Sequence, residues 1–337
     1  MLRSRSGIPS HFFVLPKFNL EDIDPALGSG PHPAFIINGR TEARLFIGQY
    51  QGSLLNSPEV PGYYELASLP GIAPALFAIS GADSTSQPPA MLYAGNTGPG
   101  AHVMTNMEWS AVAMWCQKNG LIPHGNTASG KDVLARHEHG ILADVFGRVR
   151  TGTGPASWRH NQQETGVCDL VGNNWEWVLG LRLVQGEIQV CQDNDSADWT
   201  SGVYGEKPWK AVNFSSGALV TPGGSGTTKL DSTATSGGTP MEDKGAFVFS
   251  ATRAHNLEGL NQYNFMNISA VSTGSNILKV LGLAPPIAGS VGGVWARNYG
   301  TQHAVRGGAY YTGTNASLWA LSLSGPGGSS AVRLVRY

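Results

Sequence analysis

Glycine punctuates this chain so often that long regular elements have little room to form. Of 337 residues, 45 are Gly and 20 are Pro, while charged residues make up only 13%. That balance points to a loop-rich fold of short strands and tight turns rather than a helical one. Apolar runs such as 34–38 and 44–50 are brief, end at Gly or Pro, and read as strands. The Pro/Ser/Gly patch at 81–90 reads as a loop. One stretch escapes the punctuation. Across 105–119, Trp109, Val112, Ala113 and Cys116 recur at helical spacing. Thr105 or Asn106 can cap this helix, Glu108 suits the dipole in its first turn, and Gly120 can end it. A weaker helix is expected over 131–146, with Asp132 near its start and Gly140 interrupting it, and 183–191 alternates as a strand.

The composition shifts at about residue 192. From there to 290 the chain is rich in Ser, Thr, Gly and Asn, and reads as a loop-rich insertion that buries little apolar area. A length of 337 residues suits one large domain with such an insertion. A net charge of −1 leaves no basic field for nucleic acid, and no apolar stretch reaches the length of a membrane span. The N-terminal apolar stretch 11–15 is too short for a signal peptide, so a cytoplasmic or phage-particle location is expected. Cys116, Cys168 and Cys191 are odd in number and irregular in spacing, and read as buried thiols rather than a disulfide framework.

Several short patterns lead nowhere. Residues 125–132 nearly spell a phosphate loop but lack the closing Ser or Thr, and no apolar strand precedes them. His137 and His139, two apart on the expected helix, diverge and read as solvated surface. Zinc spacing and a nucleophile elbow are both missing from the sequence, and 325–330 reads as a flexible turn with no base to assign to it.

Other segments occur together and in order. Met104-Thr105-Asn106-Met107-Glu108-Trp109 is followed by Ile122-Pro123-His124-Gly125-Asn126. Then come Cys168-Asp169-Leu170-Val171-Gly172-Asn173-Asn174-Trp175-Glu176-Trp177, Arg306-Gly307-Gly308-Ala309-Tyr310, and finally Val332-Arg333. The set resembles the formylglycine-generating, sulfatase-modifying family, whose members carry T-x-x-E-W, P-W-G-N, D-x-x-G-N-V-W-E-W, R-G-G-S-W/Y and G-F-R in that order. The resemblance spans residues 30–190 and 290–337 and leaves out 192–290. It implies an α+β fold, the C-type lectin fold of the formylglycine-generating subclass, as a single domain over 1–337. In this reading Trp109, Trp175 and Trp177 anchor the scaffold, Gly307 and Gly308 permit close backbone approach, and Arg306 can pair with an interior carboxylate such as Glu176.

The enzymes of that family hold copper through two cysteines shortly after R-G-G-S-Y. The matching positions here are Thr312 and Ser317, and neither supplies a thiolate for copper. The chain is therefore read as a non-enzyme. The resemblance also implies a structural calcium at Asp169, Gly172, Asn174 and Glu176, a set of hard oxygen ligands. The alternative for Glu176 is an interior pairing with an arginine.

The last segment, 291–337, resembles more specifically the variable region of proteins diversified by retroelements, in which adenine changes turn Asn codons into Tyr, Ser, Thr, His, Gly, Ala or Asp. Ala309, Tyr311, Thr312, Ser322, Ser324 and Gly325 fall at such positions, and Tyr299, Gly300, Thr301, His303, Thr314 and Asn315 are compatible. Arg306, Gly307, Gly308, Tyr310, Leu318, Ala320, Leu321 and Leu323 keep the scaffold pattern, and Trp319 is read as fixed. The alternation Leu321-Ser322-Leu323-Ser324 puts leucines inward and serines outward. Tyr299, Tyr311 and Trp319 are the expected affinity anchors. An ordinary polar strand face is the bland alternative. The expected function is a non-catalytic, receptor-recognising protein of a phage, prophage or bacterium, displaying a diversified surface to a variable protein or glycan ligand. The competing readings are an undiversified phage tail or surface adhesin and, disfavoured by the missing cysteines, a formylglycine-generating type of enzyme.

Overall fold

The computed structural model describes residues 1–57, 60–78, 88–198, 208–232, 247–255, 261–265, 268–270, 275–323 and 329–337. The fold is α+β with strands predominating. In chain order the elements that position the site are β1 (Phe12–Pro16), β2 (Arg44–Gly48), α1 (Pro89–Thr97), β3 (Ala101–Val103) and α2 (Asn106–Lys118). They are followed by β4 (Glu176–Val184), β5 (Glu187–Val190), β6 (Lys229–Ser232), β7 (Phe247–Ser250) and α3 (Ser275–Val280). The last are β8 (Gly293–Ala296), β9 (Thr301–Arg306), β10 (Leu321–Leu323) and β11 (Leu334–Arg336).

Two sheets organise these elements. One orders β3-β11-β2-β1, so the last strand in sequence sits between two early ones. The other contains the run β8-β10-β9-β4-β5-β6-β7, in which the pairs are antiparallel except for the parallel β8–β10; at its edge β7 also pairs in parallel with Ser269–Ala270. The expected helix is α2, and Thr105 caps it. The Thr105 hydroxyl accepts from the Glu108 amide at 3.1 Å, and the Glu108 carboxylate accepts from the Thr105 amide at 2.8 Å. Gly120 follows with a positive φ of 67°. The helix is buried nearly all round, with Trp109, Val112 and Cys116 in the main core. A second apolar cluster joins Trp177 and Leu179 of β4 to Leu66, Phe77, α1, Trp209, Val332 and Leu334.

Three expectations about elements need correction. Residues 131–146 form no helix. The Asp132 carboxylate accepts from the Leu134 and Ala135 amides at 2.8 Å each, and Asp144 accepts from the Phe146 amide at 2.9 Å. These carboxylates draw the backbone into turns that compete with a helix. Residues 183–191 are not one strand but the hairpin between β4 and β5, turned at Gln185 (φ 50°) and Gly186 (φ 83°). The segment 192–290 is not merely an excursion. Its β6 and β7 extend the large sheet, and Phe247, Phe249, Phe265, Leu278 and Leu281 are buried in the main core. Its apolar residues are few, but Phe247 and Phe249 alternate along β7 and so fall on one face.

Two arginines are sealed inside. Arg333 donates through Nε to Glu176 at 3.0 Å and through Nη2 to the other carboxylate oxygen. It also donates to the carbonyls of Gly48 and Cys168, at 2.9 Å each. Arg306 does not pair with Glu176, although the two stand opposite each other across β4 and β9. It donates to Asn106 Oδ1 at 3.0 and 2.7 Å and to the Leu281 carbonyl at 3.1 Å, because Arg333 already occupies the carboxylate. Burial pushes the Arg306 guanidinium down to about 9. Replacing Arg333 strands a buried carboxylate. Arg333→Met should lower the unfolding free energy by about 3–5 kcal/mol, read by urea denaturation.

His160 packs edge-on against Phe13, and its Nδ1 accepts from the Val167 amide at 2.7 Å. Burial, with the Arg333 charge adding to it, pushes it down from 6.5 to about 3. A histidine kept neutral when folded but free to protonate when unfolded binds fewer protons in the native state, so its contribution to stability falls as pH drops from 6.5 toward 3. His160→Asn keeps an acceptor and cannot titrate. Its melting temperature should fall less than that of the wild type between about pH 7 and about pH 4.5, measured by calorimetry.

Candidate functional site

The surface begins where β9 ends. Gly307 and Gly308 have φ values of 89° and 92°, which side-chain-bearing residues rarely adopt. A Cβ on Gly307 would meet the Leu170 carbonyl oxygen at 2.7 Å, and one on Gly308 would meet Ala316 at 2.7 Å. Only glycine lets the chain leave β9 and fold back here. The loop that follows is tied down by its backbone. The Tyr310 amide donates to the Asn173 carbonyl at 3.0 Å and the Gly313 amide to that of Thr127 at 3.0 Å. The Ser129 amide donates to the Tyr310 carbonyl at 2.7 Å, and Thr312 Oγ1 accepts from the Ala309 amide at 2.9 Å.

The receiving segments are themselves tied by hydrogen bonds. Asn126 is buried, donates to the Gly147 carbonyl at 2.8 Å and accepts from the Gly130 amide at 2.6 Å. The near-phosphate-loop sequence is thus a hydrogen-bonded shelf for the 309–316 loop. With the backbone fixed, Tyr311 projects outward, 67% exposed, its ring edge-on to Tyr310 at 4.9 Å. Thr314 is exposed beside it, and Thr312 and Asn315 are half-buried.

A half-buried aromatic pair adjoins this loop. Trp175 and Trp295 meet edge-to-face at 5.2 Å. The Trp295 ring and the Asn315 Cβ both crowd the place a Cβ on Gly293 would take, at 2.4 and 2.9 Å. Trp295 was not singled out from the sequence. The signal was its position on β8 between Val294 and Ala296, whose burial leaves the alternate position facing the other way.

The expected ligand residues do not form one continuous face. Tyr299 is exposed and Gly300 and Thr301 are half-buried, but they lie at the start of β9, whereas Tyr311, Thr312, Thr314 and Asn315 follow its end. Strand β9, from Thr301 to Arg306, sets the two groups apart by roughly 17–20 Å at strand rise. Four positions expected at the surface are sealed from solvent. Ala309 is 4% exposed, lying beneath the turn that Thr312 closes. Ser322 is 6% exposed. It stands opposite Val305, which packs on the second apolar cluster, and opposite Trp295. His303 is buried opposite Arg182, whose guanidinium stacks on Trp209 at 4.1 Å. Trp319 is stacked on Phe265 at 5.7 Å in the main core and is scaffold rather than anchor. The outer sheet face at these strands is therefore covered by a second layer. Ser324 and Gly325 lie outside the described residues.

Protein donors already take up most of the oxygens proposed for calcium, although Asp169 Oδ1 is buried without one. Gln51 Nε2 stands where these oxygens converge. It donates to the Asn174 carbonyl at 3.1 Å, to Glu176 Oε1 at 3.1 Å and to the Asp169 carbonyl at 3.4 Å. Its orientation is set by Asn173 Nδ2, which donates to Gln51 Oε1 at 2.9 Å. Glu176 is further taken up by Arg333. Gly172 turns its amide to the Gly307 carbonyl at 3.1 Å, and Asp169 accepts from the Gly152 amide at 2.9 Å. Burial pushes the Asp169 carboxyl upward. Among the described residues no group of three His, Cys, Asp or Glu gathers as a metal site. Calcium at millimolar concentration, or a chelator, should leave the melting temperature unchanged in differential scanning fluorimetry.

Cys116, Cys168 and Cys191 are buried thiols, and burial pushes the Cys168 thiol up to about 12. At the two positions matching the copper cysteines, Thr312 supports the turn described above and Ser317 donates to the Val291 carbonyl at 2.6 Å. No protein-family model matches the chain, and no curated protein is significantly similar to it. Among the described residues no helix is long and apolar enough to cross a membrane.

Proposed function

We propose that the protein is a non-catalytic ligand-binding protein whose contact surface is the 309–316 loop with its neighbouring aromatics, on a scaffold of the formylglycine-generating lectin type. The observation that carries this reading is Tyr311, a large side chain held 67% exposed on a loop whose backbone is hydrogen-bonded at both flanks. A preordered backbone with an outward Tyr, Thr and Asn set is the adaptable chemistry of binding surfaces, since little entropy is lost when a partner arrives. In this reading the ligand is a protein or glycan, and the diversified positions are Tyr311, Thr312, Thr314 and Asn315. The other end of β9, with Tyr299 and Thr301, is a separate patch. The sealed Ala309, His303 and Ser322 are poor places for exchange, because changes there disturb packing.

A screen of glycan and protein arrays with wild type and Tyr311→Ala tests the binding. The variant should lose about tenfold or more of the signal at wild-type hits while its melting temperature moves by no more than ~2 °C. Hits that bind the variant equally well would sink the assignment. Diversification is tested separately on the DNA, where a reverse transcriptase and a near-copy of the 3′ end differing at adenines are expected nearby. Their absence would leave an undiversified adhesin.

A further inference from the structure

Away from the 309–316 loop, large apolar side chains reach solvent together on one excursion of the chain. Residues 130–150 fold back on themselves. The Gly140 amide donates to the Gly130 carbonyl at 3.1 Å, Ala143 to Arg148 at 2.7 Å, and Arg150 to Ile141 at 2.8 Å. On this frame Leu134 is 81% exposed and Val145 94%, with Ile141, Leu142 and Phe146 also more than half exposed. Its carboxylates are spent inward. Asp132 and Asp144 accept from backbone amides, Asp144 also pairs with Arg148, and Glu138 accepts from His124 and Trp158, both at 2.9 Å. An excursion with satisfied carboxylates and outward aliphatics inverts the usual surface arrangement and marks a contact face.

We propose that this face joins two copies of the chain in a two-fold dimer, residues 131–147 of one against the same residues of the other. Four observations support a second copy as the occupant. The exposed apolar area of five large side chains, with its polar rim, is on the order of the ~800 Å² that each partner contributes to a standard interface. Residues 131–148 hold three basic groups (Lys131, Arg136, Arg148) and three acidic ones (Asp132, Glu138, Asp144), so two copies of the segment meet with no net charge on either. Covering it strands no carboxylate, since each of the three already has a partner within the fold. A whole-chain net charge of −1 adds almost no long-range repulsion between copies. Ser129, at the foot of the excursion, donates its amide to the Tyr310 carbonyl, so this face and the Tyr311 loop share a backbone contact.

Sedimentation velocity on the full chain from about 1 to about 100 μM tests the proposal. The expected wild-type species has twice the 35.5 kDa chain mass. Val145→Asp and Leu134→Glu, both at solvent-facing positions, should each keep the wild-type circular dichroism and melting curve and weaken dimerisation about 100-fold or more. A wild-type monomer at the highest concentration would overturn the proposal, as would any mass other than two chains or a dimer that both variants leave intact. These outcomes are independent of whether Tyr311→Ala loses ligand binding.

Discussion

The buried contact between Arg333 and Glu176 holds the molecule's distant parts in register. One guanidinium reaches the carboxylate on β4, the carbonyl of Gly48 at the end of β2, and the carbonyl of Cys168 in the segment leading to β4. Gln51 completes the node by tying the same carboxylate to Asp169 and Asn174. These residues lie far apart in sequence, so the node forms only when both sheets have assembled. Charges so placed are costly to bury and tolerable only when every donor and acceptor is matched, which makes the node a demanding test of correct geometry. The shelf that carries the 309–316 loop runs from it, since Asn173 both fixes Gln51 and receives the Tyr310 amide.

The loop and the sheet face behind it follow different rules. In β9 and β10 both faces of the strands are covered, one by the main core and the other by the second apolar cluster, so alternation separates two interiors rather than inside from outside. Beyond Gly307 the backbone bonds to neighbouring segments instead of strands, and side chains are released to solvent. The exposed chemistry is therefore concentrated in the loop.

Much of this was readable in the residues themselves. The Thr105 and Glu108 pair and the periodic Trp109, Val112 and Cys116 specify α2 locally, because capping and periodicity act within a few residues. The paired glycines 307 and 308 announced a close approach that the Leu170 carbonyl and Ala316 confirm. What escaped was decided at long range. Whether Ser322 faces water depends on the layer laid over Val305, which nothing in β10 reports. Arg306 stands opposite Glu176 yet finds Asn106, because Arg333 has already claimed the carboxylate. The apolar residues of 192–290 are sparse enough for composition to hide them, while their alternation in β7 still builds sheet.

The placement of β11 bears on how the chain is made. This strand, the last in order, is inserted between β3 and β2, both laid down in the first third of the sequence. A growing polypeptide therefore cannot close its smaller sheet until residues 334–336 have been synthesised. Any frameshift or premature stop within the segment 291–337 removes the keystone along with the surface it follows. Such products would expose the edges of two early strands, so an interrupted reading frame in this segment would cost the smaller sheet its closure.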